Sequence, residues 1–169
     1  MGIELGAEVV VAVALAICCY TDVKDGKIRN MVTLPLIALG FLHNVMMGHP
    51  SVAIGGFVVA TLIHFPLWLL TIQRGGDAKL LMGLGAMFGH YEIVETSTWL
   101  AVLYAPVGLG FLAATGKLGN IVTQIKWIAG SLMKKDVGER PPSTKLKTAP
   151  VIAAAAVLAH YTTWLDWLQ

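Results

Sequence analysis

Six stretches of this chain are costly to leave in water: Ile3–Tyr20, Met31–Met47, Val52–Ile72, Leu80–Val94, Thr98–Thr115 and Ala149–Trp167. A helix needs about 20 apolar residues, with a lower limit near 17, to cross the hydrocarbon of a bilayer. Five of the six meet that requirement. The fourth is marginal, because Gly83, Gly85 and Gly89 weaken it and Glu92 follows closely. Only 13% of the residues are charged, against about a quarter in a soluble domain. The expected fold is all-α: one polytopic membrane domain over residues 1–169 with about six transmembrane helices.

The basic residues set the orientation. Lys24, Lys27 and Arg29 follow the first segment, Arg74 and Lys79 follow the third, and the other seven lie between Lys117 and Lys147. The connections Gly48–Ser51 and His90–Ser97 have none. Loops rich in Lys and Arg stay in the cytoplasm, so the N-terminus is expected outside and every basic loop inside. A net charge of +2 says little, and no nucleic-acid partner is implied. The first segment lacks the basic start of a cleavable signal, so it is read as a retained helix. Cys18 and Cys19 are neighbours in that helix and cannot bridge each other without severe strain. With no His or further Cys nearby they also make a poor metal site.

Residues 116–148 form the long cytoplasmic connection. Leu118, Ile121, Val122, Ile125, Ile128 and Leu132 recur at helical spacing. With Lys126 and Trp127 they suggest an amphipathic helix on the lipid surface. The run from Lys134 to Pro142 reads as a polar, turn-rich loop.

Topology also brings two carboxylates to one level. Asp22 ends an inward-running segment and Asp77 begins an outward-running one. A carboxylate at a bilayer boundary is solvated, paired or used. Two at matched depth suggest a pair in which one carboxyl is ionised and the other holds a proton. Gly75 and Gly76, just before Asp77, permit close approach of another backbone. The start of a helix favours a negative charge at Asp77. Asp25, one turn from Asp22, is the rival for the first position. Lys79 lies two residues from Asp77 and would not share its helical face, so it reads as a lysine reaching for the interface. His64, just before Phe65-Pro66, is expected to make a structural hydrogen bond. His43, His49, His90 and His160 are assigned no chemistry, and Glu92 and Glu95 read as solvated outer-loop residues.

The stretch Gly75-Gly76-Asp77-Ala78-Lys79-Leu80-Leu81, running into a Gly-rich helix, resembles the second active-site motif of type IV prepilin peptidases. Asp22, Ile28 and Asn30 fit the first motif, and Lys147-Thr148-Ala149-Pro150 resembles the entry to the closing helix. The similarity runs over nearly the whole chain, whose length looks like that of the small members serving tight-adherence pili. It implies an aspartic endopeptidase of a prokaryotic cytoplasmic membrane, with Asp22 and Asp77 catalytic and Gly75, Gly76, Lys79 and Asp25 supporting. It implies no metal and no cofactor. The implied partners are a prepilin-like substrate helix and membrane lipid.

Two positions depart from the motifs: Arg74 stands where a Gly is expected, which bears on the turn before Asp77, and Arg29 where a Pro is expected, which bears on entry to the second helix. A loop with cysteine pairs, which accompanies methyltransferase activity in larger members, is absent, so the resemblance implies the peptidase alone. The alternatives are an archaeal preflagellin peptidase, a presenilin-like protease (whose Tyr-Asp pair is broken here by Thr21), and a transporter or non-catalytic scaffold.

Overall fold

The computed structural model describes residues 2–69, 73–114, 126–127, 129–130 and 147–162. Six helices account for nearly all of these, and no strand occurs among the described residues. They are α1 (Gly2–Asp25), α2 (Asn30–Met46), α3 (Pro50–Leu69), α4 (Gly75–Phe88), α5 (His90–Ala114) and α6 (Ala149–Thr162). Most of the amphipathic helix expected over 118–132 and the polar run after it lie outside the described residues. The chain divides into two compact units, one of 1–101 with 147–169 and one of 102–146. The candidate site belongs wholly to the first.

Two helices, Gly6–Asp25 and Pro50–Leu69, are long and apolar enough to cross a membrane. Only 33% and 22% of their apolar stretches are buried inside the protein, whereas the core helix of a soluble protein would be mostly covered. Val9, Val13 and Ile17 on α1, and Ile54, Val58 and Leu62 on α3, are exposed and repeat every fourth residue, giving each helix an apolar outer stripe. Continuous exposed apolar surface of this kind belongs in lipid rather than water. The chain is a membrane protein.

The expectation for the fourth segment needs correcting. Leu80–Val94 is not one helix: α4 stops at Phe88, Gly89 takes φ +95°, and α5 starts at His90. The expected outer loop His90–Ser97 is instead the first two turns of α5. Glu95 is only 4% exposed, so it is not the solvated loop residue that the sequence suggested. The glycines of α4 also act against the expectation. A Cβ on Gly56 would lie 1.8 Å from the Gly85 carbonyl oxygen, and one on Gly85 2.4 Å from that of Gly56. Both absences let α3 and α4 meet backbone to backbone.

The result is a short central helix with α2 and α3 packed on it. Its 14 residues rise about 21 Å at 1.5 Å each, less than the ~30 Å of a hydrocarbon core. Every residue from Leu80 to Met87 is nevertheless buried, so neighbouring helices rather than lipid surround it. At its far end Asn44 Nδ2 of α2 points at the carbonyls of Ala86 and Met87, both at 3.0 Å. Those are carbonyls that a helix terminus leaves without a helical partner.

Candidate active site

The near end of α4 is where α1, α2 and α6 also begin or end. Asp22 lies in the last turns of α1 and is 0% exposed; Asp77 is the third residue of α4 and is 1% exposed. Neither is solvated at a boundary. Each is held by named donors, as buried carboxyls must be.

Arg74 links the two from one side. Its Nη1 lies 3.4 Å from Asp22 Oδ1 and donates to the Gly26 carbonyl at 3.0 Å. Its backbone N–H approaches Asp77 Oδ2 at 3.4 Å. The residue sits at φ −82°, ψ 152°, extended backbone that does not require glycine. The departure from the expected Gly therefore leaves the turn intact and adds a guanidinium beside Asp22. Arg29 behaves similarly. At φ −85°, ψ 136° it keeps a conformation close to polyproline, so entry to α2 needs no proline.

The link on the other side comes from three consecutive residues entering α6. Lys147 Nζ donates to the Val23 carbonyl of α1. Thr148 Oγ1 donates to Asp77 Oδ1 at 2.6 Å. The backbone N–H of Ala149 donates to Asp22 Oδ2 at 3.0 Å. That N–H belongs to the first turn of α6, where amides lack helical partners and favour an anion. Thr148 and Ala149 had no role in the sequence reading. No local pattern could have assigned one, because they reach acids 71 and 127 positions away.

The other residues singled out from the sequence divide into those near the pair and those facing away. A Cβ on Gly76 would fall 2.9 Å from Ile28 Cβ, so this glycine lets the two motifs pack against each other. The Gly75 position faces the indole of Trp68, at 3.1 Å from its Nε1. Lys79 Nζ bonds Asn30 Oδ1 at 3.0 Å, tying α4 to the start of α2 rather than touching Asp77. Asp25 is exposed and pairs with Arg29 at 2.6 Å, so it turns outward while Asp22 turns in. His64, 2% exposed, meets Gln73 Oε1 and Ser97 Oγ, each at 3.0 Å. It anchors the residue just before Arg74. Cys18 is buried, Cys19 is partly so, and both are free.

Asp77 precedes the apolar run that starts at Leu80. Its carboxyl lies between the Thr148 hydroxyl and the Arg74 N–H. Two buried carboxyls that share one proton can take a proton from water at one and give one to a carbonyl oxygen from the other. Among the described residues no group of three or more His, Cys, Asp or Glu side chains could hold a metal ion.

A second polar cluster joins the other ends of α1, α5 and α6. His160 Nδ1 lies 3.0 Å from Glu92 Oε1, and its Nε2 lies 3.6 Å from Glu8 Oε1. The three line a cavity of about 300 Å³ with Leu15 and Phe88. Glu92 is thus paired, where the sequence reading left it to solvent.

Comparison with known proteins identifies the family. The family model described as the type IV leader peptidase family matches residues 9–115, a range that holds Asp22 and Asp77 but not Thr148. A preflagellin peptidase of Methanocaldococcus jannaschii is 32% identical over 92 residues, covering 50% of this chain and 39% of the relative. A prepilin leader peptidase/N-methyltransferase of Burkholderia pseudomallei is 32% identical over 120 residues, covering 64% and 38%. One of the same description from Aeromonas hydrophila is 28% identical over 102 residues, covering 55% and 35%. The chain spans less than two fifths of the length of these relatives. No solved structure matches it.

Proposed function

The chain belongs to the type IV leader peptidase family, and from that premise we propose that it is a membrane-embedded aspartic endopeptidase. It cuts the short basic leader from prepilin-like subunits at the cytoplasmic face of a prokaryotic inner membrane. One observation supports the reading above the others. Asp22 and Asp77, from two separate helices, are fully buried yet bridged by Arg74 on one side and Thr148-Ala149 on the other. Structural carboxylates are more often exposed or paired one to one. A buried pair sharing its donors is suited to sharing a proton.

In this reading the chain crosses the bilayer about six times with its N-terminus outside, and α4 crosses inside a sheath of other helices. Lys24, Lys27, Arg29, Arg74 and Lys79 then lie on the cytoplasmic side with the aspartates, as the distribution of positive charge requires. The substrate's apolar helix packs within the bilayer and presents its junction with the leader at the level of the pair.

The chemistry follows from the donors. The Arg74 guanidinium lies against Asp22, whereas Asp77 meets a hydroxyl and a backbone N–H. In this reading Asp22, facing that positive charge, takes a proton from the attacking water. Asp77, as the member that holds the shared proton, gives it to the scissile carbonyl oxygen as hydroxide adds to the carbon. In the second half Asp22 passes its proton to the leaving nitrogen. Asp77 recovers one from a hydroxyl of the intermediate as the C–N bond breaks. The pair ends with the single proton it began with.

A transporter would favour charged groups near the bilayer midplane, whereas the most deeply buried acids here lie at one end of the helices. The preflagellin peptidase among the relatives makes an archaeal filament subunit the second substrate candidate, cut by the same chemistry. Co-expression with candidate prepilins and preflagellins tests the proposal. Wild type should shorten one of them by its leader, and Asp77→Ala should leave it full length. Cleavage by Asp77→Ala would refute the aspartic mechanism.

A further inference from the structure

The three residues that lead into α6 lie beyond the stretch matched by the family model, and nothing in the two motifs anticipates them. Thr148 is 6% exposed, and its hydroxyl lies 2.6 Å from Asp77 Oδ1. That is within the ordinary range of an O–H···O hydrogen bond. A hydroxyl carries one hydrogen and can also accept, so its direction has to be settled. The geometry is that of Thr148 Oγ1 donating its hydrogen to Asp77 Oδ1.

With that hydrogen directed at Oδ1, the two oxygens of Asp77 are no longer equivalent. Oδ1 is held as an acceptor. Among the described residues Oδ2 meets only the backbone N–H of Arg74 at 3.4 Å, near the limit for a useful bond. We propose that Thr148 is a positioning residue for the reaction: its hydroxyl occupies Asp77 Oδ1, so that the proton shared by the two carboxyls is held and released at Oδ2. This rests on the peptidase reading above and deepens it. The neighbouring Ala149 N–H performs the matching task on Asp22, where it holds Oδ2 as an acceptor. One dipeptide thereby sets both carboxyls, and Lys147, bonded to the Val23 carbonyl, pins that dipeptide to α1.

A merely structural hydroxyl would affect folding and leave the proton chemistry alone, so the two roles separate experimentally. Full-length wild type, Thr148→Val, Thr148→Ala, Thr148→Ser and Asp77→Asn are purified in the same detergent, and cleavage of one prepilin substrate is followed against pH. Thr148→Val keeps the side-chain volume and loses the hydroxyl. It should lower kcat about 10- to 100-fold, the scale of a mispositioned acid or base, with KM within about twofold. The alkaline limb of its profile should move to higher pH, because the ionised form of Asp77 has lost a donor. Thr148→Ser should restore both rate and profile to within about threefold of wild type, and Thr148→Ala should follow Thr148→Val. Should Thr148→Val fail to accumulate, Thr148→Ala carries the same comparison. Wild-type kcat and profile in Thr148→Val or Thr148→Ala, beside an inactive Asp77→Asn, would overturn the role of Thr148 while leaving the peptidase reading intact. Equal losses in Val, Ala and Ser would also overturn it, because a hydroxyl at this position would then not be enough to restore function. Activity in Asp77→Asn would instead defeat the reading on which the proposal rests.

Discussion

The two ends of the first unit hold polar clusters of similar composition and opposite character. At one end Asp22 and Asp77 are 0% and 1% exposed, and their donors include two backbone amides, a hydroxyl and a guanidinium. At the other, Glu8, Glu92 and His160 are 47%, 23% and 36% exposed and meet each other side chain to side chain. Acids that water can reach need little from the fold. Acids sealed from it cost several kcal/mol unless donors are supplied, and here donors from α4 and the strap before α6 are aimed at them. The contrast supports the proposal that the buried pair is the site of chemistry, although both clusters sit between α1 and α6.

The largest expected effect breaks the comparison if it fails. Asp22→Asn and Asp77→Asn should each lower cleavage by about 10³-fold or more, the loss expected when an essential acid or base goes. Glu92→Gln and His160→Gln should each change it less than about threefold. Comparable losses at both ends, in protein that accumulates normally, would erase the distinction drawn here.

Next comes the scaffold that seals the inner pair. Gly56→Ala places a Cβ 1.8 Å from the Gly85 carbonyl oxygen, an overlap with rigid backbone rather than with a movable side chain. α3 and α4 must separate, at a cost of roughly 1–3 kcal/mol or more. Thermal unfolding in detergent should fall by several degrees, with reduced yield. Gly6, with nothing within 4 Å of its Cβ, should tolerate the same change, and equal melting of the two variants would contradict this packing.

A smaller effect is expected at Arg74. Arg74→Ala removes the guanidinium from Asp22 and should slow cleavage about 10-fold, within the worth of a charge-assisted hydrogen bond. The backbone N–H that serves Asp77 remains. Arg74→Gly, which restores the expected motif residue, should behave in the same way, because the extended backbone there does not need glycine. The smallest effect belongs to Asp25→Asn. Its exposed pair with Arg29 contributes little to stability, and activity should stay within about threefold. Loss of activity there, with Asp22→Asn active, would exchange the roles of the two aspartates.

The difference between the clusters was partly legible in the sequence. Asp22 and Asp77 could be paired because alternating helices and the placement of basic residues bring them to one level, and the spacing to Ile28 separated Asp22 from Asp25. Gly76 was read as a point of close approach, and Ile28 is what approaches. The break at Gly89 was missed. A glycine in an apolar run looks like a weak helix residue until its neighbours show that the chain turns there. Burial of Glu95 was missed for the same reason, since the turn moves it from a loop into α5. Thr148 and Ala149 were out of reach altogether: a hydroxyl and a backbone amide carry no spacing signal, and their partners are fixed only when α6 docks against α1 and α4.

The central claim, that two buried carboxyls share one working proton, is tested most directly by the pH–rate profile of the purified protein on a single prepilin substrate. The account predicts a bell whose two limbs belong to the pair, with Asp22→Asn and Asp77→Asn inactive across the whole range. A profile with one limb, or a bell that survives in either aspartate variant, would contradict it.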